Sequence, residues 1–148
     1  MDNKQYYGYN QCVKDSKELL PKIKLYNPDT LVSIARGGLT FGHLLASGLD
    51  NRNLYTINSI HYDDNKKLDN FKISNIPNLT NSKKVLIIDD IIDSGETMRE
   101  IINILKTNYP QCEYKTTSLF YKRTALLQPD FTINEAKKWI EFFWEVDI

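Results

Sequence analysis

The chain has 148 residues, and Lys plus Arg and Asp plus Glu each total 19, so one ordinary domain is expected and a broad nucleic-acid-binding surface is not. Cys12 and Cys112 fit no metal or redox spacing and read as thiols of a cytoplasmic protein. No apolar run approaches the roughly 18–20 residues of a membrane span, and the opening MDNKQYYGYN lacks a signal-peptide pattern.

Residues 10–26 place Val13, Leu19, Leu20 and Ile23 at helical spacing, with a kink or the start of a second short helix expected at Pro21. Asn27-Pro28-Asp29 is a turn, Leu31 to Ala35 a short apolar strand, and Arg36-Gly37-Gly38 the loop that ends it. A second helix fits Leu39 to Leu49, and Leu54 to Ile60 alternates like a strand. His61 to Asn70 is charged and aperiodic, which predicts a mobile surface loop, and Phe71 to Ser82 is a mixed connection. Val85 to Ile88 reads as a strand covered on both faces, followed by Asp89 and Asp90, then Ile91 and Ile92. After them come the small polar loop Asp93-Ser94-Gly95-Glu96-Thr97 and a helix running from about Met98 to Thr107. Tyr114 to Tyr121 is rich in β-branched and aromatic residues and predicts a further strand. A shorter segment, Pro129 to Ile133, leads into the aromatic ending Lys138 to Glu145.

Strands alternating with helices predict an α/β domain over 1–148 with a mainly parallel sheet, whose ligands sit beyond the carboxyl ends of the strands. Two loops meet that condition: Ala35 to Gly38 and Asp89 to Thr97. In the second, two fixed carboxylates precede a loop of small residues at a helix start. Alone, an Asp-Asp pair also fits an exposed turn with a helix cap. In this combination it can hold a phosphate at one end and hydroxyls or a metal at the other.

The stretch Lys84 to Met98, KVLIIDDIIDSGETM, closely resembles the phosphoribosyl pyrophosphate (PRPP) motif of type I phosphoribosyltransferases. The resemblance implies that family's Rossmann-like fold with a flexible hood and a small C-terminal base-binding segment. It implies that Asp89 and Asp90 bind the ribose hydroxyls, directly or through Mg²⁺. It puts Asp93, Ser94, Gly95, Glu96 and Thr97 around the 5′-phosphate, with the Glu96 side chain turned away. By the same resemblance Arg36 and Gly37 belong to the pyrophosphate loop, where the peptide before the arginine is often cis. His61 to Asn70 takes the place of the hood, with Lys66 or Lys67 reaching the pyrophosphate.

Lys122, Lys138-Trp139-Ile140 and Trp144-Glu145 look like the base pocket of the 6-oxopurine branch, although Phe143 stands where the family often has a proline. That branch implies that Lys122 donates to O6, Trp139 stacks on the base, and backbone at Ile140 and near Glu145 reads its far edge. The implied reaction joins hypoxanthine, guanine or xanthine to PRPP, giving a nucleoside 5′-monophosphate and pyrophosphate, with Asp93 as general base at N7. A dimer or tetramer of identical chains is expected for the family. Two other readings remain open at this level: a phosphoribosyltransferase for a different base, and a non-catalytic PRPP or nucleotide sensor on the same fold.

Overall fold

A computed structural model of the chain describes residues 3–62 and 70–148. Its centre is two largely buried strands, β2 (Thr30–Ala35) and β5 (Lys84–Ile92), the second carrying the unbroken apolar run Val85 to Ile88. They run parallel, with Leu31 beside Leu86 and Val32 beside Ile87. Successive side chains point to opposite faces, so each strand feeds two cores at once. Leu31, Leu86 and Ile88 pack with α1 (Tyr9–Tyr26) and α2 (Leu39–Leu49) through Leu19, Ile23, Phe41 and Leu45. Val32, Val85 and Ile87 pack with Met98, Ile101 and Leu105 of α3 (Glu96–Asn108) on the other face.

Outward from this pair lie β3 (Leu54–Tyr62) and β4 (Asn70–Ser74) on one side. On the other lie β6 (Glu113–Tyr121) and the two-residue β7 (Asn134–Glu135), giving the order β4-β3-β2-β5-β6-β7. Every pairing is parallel except the antiparallel β3 and β4. The chain leaves β2 toward one edge and β5 toward the other. The carboxyl ends of β2 and β5 therefore flank a switch point, where open parallel sheets form their crevice. A separate two-stranded parallel sheet joins β1 (Lys4–Tyr7) to β8 (Trp139–Phe142).

The predicted α/β class and the core helices and strands are present, with four differences. First, α1 continues through Pro21 and no second helix starts there. That residue is exposed, so water can serve the carbonyl it leaves without a partner. Second, β5 extends to Ile92, so Asp89 and Asp90 are strand residues and not the start of a loop. Pairing of Asp89 with Ser118 and of Ile91 with Phe120 on β6 carries the ladder past them. Third, α3 begins at Glu96. Fourth, β1, β4, β7 and β8 arise in stretches where no strand was predicted; each forms through a partner strand. Of the expected hood, residues 61, 62 and 70 belong to β3 and β4, while 63–69, including Lys66 and Lys67, lie outside the described residues.

A buried carboxyl ties these parts together. Asp15 on α1 accepts from the Tyr7 hydroxyl (2.7 Å), Gln11 Nε2 (2.8 Å) and Asn134 Nδ2 (2.9 Å). Asp15→Ala would leave the buried Tyr7 hydroxyl without its acceptor, at a cost of about 1–3 kcal/mol, whereas Gln11 is exposed to water and Asn134 Nδ2 keeps its bond to Leu119 O (3.0 Å). Equilibrium urea unfolding should show a loss of about 2 kcal/mol; a loss under ~1 kcal/mol would mean that water replaces the carboxyl.

Candidate active site

The crevice begins with the loop after β2. The Ala35–Arg36 peptide is cis, as the resemblance implies. Gly37 lies against the acidic pair: a Cβ there would fall 2.8 Å from Asp90 Cγ and against its Oδ2. Glycine is the residue that lets this backbone approach the carboxylate so closely. Arg36 is exposed and flanks a cavity of about 690 Å³ shared with Gly37, Thr40, Trp144 and Glu145.

At the end of β5, Asp89 Oδ1 accepts from the Asp90 amide (2.9 Å) and Asp90 Oδ1 from the Ile91 amide (2.7 Å). Burial raises the Asp89 carboxyl well above the usual carboxylate range, and repulsion from Asp90 adds to it. Burial also raises Asp90, against the pull of the Ile91 amide. Glu145 is raised by burial and then by Asp90, which marks it as a neighbour of the pair. Carboxylates held this way favour the arrival of hydroxyl donors or a cation.

Between the ordinary carboxylate range and the raised values, the folded protein binds more protons than the unfolded chain, so stability falls as pH rises through that window. Asp89→Asn removes one of the two charges. In the ligand-free protein it is expected to raise the melting temperature at pH 8, with the gain shrinking toward pH 4. An equal gain at both pH values, or none, would contradict charge repulsion as the cause.

The loop after β5 turns at Gly95, whose φ of 85° is in the left-handed region that glycine adopts without strain. Ser94 Oγ accepts from the Glu96 amide (3.2 Å), and α3 starts there. Asp93, Ser94, Gly95 and Thr97 line a small cavity of about 90 Å³ beside the α3 N-terminus. Glu96 is not part of that lining, in keeping with a side chain turned away. Amides and hydroxyls at a helix start suit a phosphate.

This loop also supports the segment after β6. The Lys122 amide donates to Ile92 O (2.9 Å) and the Leu126 amide to Ser94 O (2.9 Å). Gln128 Nε2 donates to Lys122 O (3.1 Å) and Ala125 O (3.1 Å), closing the turn. Lys122 Nζ consequently meets Asp93 Oδ1 at 2.7 Å. Both face a cavity of about 620 Å³ together with Asp90, Trp139, Ile140 and Glu145. Trp139 is 68% exposed, an unusual state for a large aromatic residue, and leaves indole surface open. Ile140 is buried, and the Glu145 amide is already used by Phe142 O (2.9 Å). That leaves the Glu145 carbonyl and side chain, not its N–H, for a ligand.

Every predicted base-site residue thus borders one cavity, and Glu145 also borders the cavity beside Arg36. Sequence reasoning missed Asn3, which lines the base-side cavity from just before β1, a strand with no local signature. It also missed the pairing of Lys122 with Asp93, which are far apart in the chain. Among the described residues no trio of His, Cys, Asp and Glu is gathered for a metal. Asp89 and Asp90 are two hard oxygen donors, a set that fits a divalent cation taking its other ligands from a phosphorylated substrate and water.

Comparison with known proteins agrees with this geometry. The family model described as "Phosphoribosyl transferase domain" matches residues 2–148. The solved structure of the Helicobacter pylori xanthine-guanine-hypoxanthine phosphoribosyltransferase superposes with a TM-score of 0.90 at 36% identity, covering 97% of this chain and 94% of that one. A purine phosphoribosyltransferase from Pyrococcus horikoshii gives 0.87 at 29% identity, covering 99% and 97%. The xanthine-guanine phosphoribosyltransferase of Cereibacter sphaeroides is 26% identical over 95% of this chain and 86% of its own length. A crevice at the sheet's switch point, an acidic pair before a small-residue loop and a match over nearly the whole length together make this chain a member of the phosphoribosyltransferase family.

Proposed function

We propose that this phosphoribosyltransferase serves purine salvage, transferring the 5-phosphoribosyl group of PRPP to N9 of hypoxanthine, guanine or xanthine. The bond from C1′ to the pyrophosphate oxygen breaks and the C1′–N9 bond forms, yielding the nucleoside 5′-monophosphate and pyrophosphate. The observation that carries the reading is the meeting of Lys122, Asp93 and Trp139 around one cavity next to the acidic pair. A permanent cation beside an open indole face suits a flat base with a keto oxygen and disfavours a 6-amino group. The match of residues 2–148 to one family model supports treating 1–148 as a single domain.

In this reading Asp89 and Asp90 accept from the ribose hydroxyls, and Asp93 to Thr97 surround the 5′-phosphate, with Ser94, Gly95 and Thr97 giving amides and hydroxyls. Arg36 and Gly37 receive the pyrophosphate. Trp139 stacks on the base while the Ile140 backbone and Glu145 bound its far edge. Lys122 exchanges Asp93 for the purine O6, leaving the Asp93 carboxylate to take the N7 proton as N9 bonds to C1′. Members of the family generally use Mg²⁺ with PRPP. Asp89 and Asp90 would hold the ion together with the substrate, where it would supply positive charge to offset that of the departing pyrophosphate. No helix among the described residues is long and apolar enough to cross a membrane, which accords with a cytoplasmic enzyme. In this reading the enzyme acts as a homodimer or homotetramer, as expected for the family.

The test is pyrophosphate release from PRPP and Mg²⁺ with hypoxanthine, guanine, xanthine, adenine or orotate. Turnover confined to the three 6-oxopurines is expected. PRPP binding without turnover on any base would instead identify a sensor.

A further inference from the structure

The residues that surround PRPP and those that surround the base differ in what supports them. Asp89, Asp90 and the loop to Thr97 are anchored in the six-stranded sheet. Trp139 and Ile140 lie on β8, and among the described residues β8 has only one strand partner, β1. Lys4 stands beside Trp139, Gln5 beside Ile140, and Tyr7 beside Phe142. The Trp139 amide donates to Asn3 O (3.1 Å) and the Phe143 amide to Tyr7 O (2.9 Å), so the pairing brackets the base-side wall.

β1 is in turn fastened to the core at its far end. The Tyr7 hydroxyl donates to Asp15 of α1 (2.7 Å). Its ring meets Phe120 of β6 edge-on at 4.9 Å between centroids and Phe142 of β8 at 5.8 Å. Asn3, at the near end, lines the same cavity as Trp139 and Lys122.

We propose that β1 is a positioning element of the base site: the N-terminal strand sets the height and tilt of Trp139 and Ile140 over the cavity, with Gln5 and Tyr7 as its positioning residues. The inference rests on the base site assigned under Proposed function. An unpaired four-residue segment samples many conformations, and each ordered side chain costs free energy on binding. A base meeting an unpositioned wall must supply that ordering itself, whereas PRPP does not touch it.

The register allows a clean test. In a parallel ladder a residue turns its N–H and C=O to one side, and its neighbours turn theirs to the other. Asn3 and Tyr7 direct their carbonyls at β8, so Gln5 between them faces β8 and Lys4 faces away. Both side chains are exposed, so proline at either position removes little packing. Gln5→Pro deletes a ladder donor; Lys4→Pro does not.

In Gln5→Pro the KM for the purine base should rise about tenfold or more, while PRPP affinity stays within about twofold of wild type. Hydrogen–deuterium exchange should accelerate over 139–143 and stay unchanged over 89–97. Lys4→Pro should match wild type in both. Tyr7→Phe, which keeps the ring and loses only the bond to Asp15, is the milder second variant should Gln5→Pro not fold; it should shift base KM the same way by about threefold. Faster exchange over 139–143 with unchanged base KM overturns the positioning role, as does a parallel loss of base and PRPP binding. A wild-type protein that converts no purine overturns the functional reading itself, a result separate from failure of the variants in an active enzyme.

Discussion

Lys122→Met is expected to lower kcat/KM for hypoxanthine by about a hundredfold, the loss of a charge-assisted hydrogen bond to a keto oxygen. Methionine keeps the length of the side chain and removes the cation. In the ligand-free protein the Lys122 ammonium holds Asp93 at 2.7 Å with both side chains partly open to water, 41% and 60% exposed. A pair so exposed is worth about 1 kcal/mol at most, so surrendering it to the base costs little. The same exposure means that the variant should fold normally. PRPP affinity should be unaffected, because the phosphate loop is held by backbone bonds that methionine leaves intact, among them Lys122 N to Ile92 O and Leu126 N to Ser94 O. Steady-state kinetics with hypoxanthine and adenine provide the measurement. Preference for the 6-keto base should collapse; a preserved preference would move O6 recognition to another group.

Asp93→Asn should reduce kcat by about 10²- to 10⁴-fold, the usual contribution of a positioned proton acceptor. The amide has nearly the same shape, yet it cannot take the N7 proton. Ser94 O, Gly95 and the start of α3 keep their places, since none depends on the Asp93 carboxylate in the described contacts. PRPP dissociation constants should therefore change by less than about threefold, within the range of a neutral substitution near a phosphate. Single-turnover experiments with saturating PRPP separate chemistry from binding. Equal loss in kcat and PRPP affinity would rule out the base role and leave Asp93 as a scaffold for the phosphate loop.

Much of the site was legible because its parts are contiguous in the chain. Val85 to Ile88 are apolar on both faces, which is what a central strand requires, and the small residues after it can only form a tight loop before α3. A single span of some fifteen residues carries the strand, the carboxylates and the helix start. Lys122 and Trp139 were legible for another reason: they match a family pattern, and no local periodicity marks them. The extension of β5 through Asp89 and Asp90 was not readable. Two adjacent carboxylates end a strand by propensity, and only the ladder to Ser118 and Phe120 of β6 holds them in it.

The sequence by itself determined the alternation of strands and helices, the two loops at the carboxyl ends of β2 and β5, and the chemistry available in them. These depend on periodicity and on neighbours within a few residues, where side-chain direction follows from backbone geometry. Tertiary structure decided the rest. It brought Lys122 onto Asp93, set Gly37 against Asp90, and paired Lys4 to Tyr7 with a segment more than a hundred residues away. Such contacts leave no local trace, because a short strand such as β1 has a partner only after the chain has closed around it.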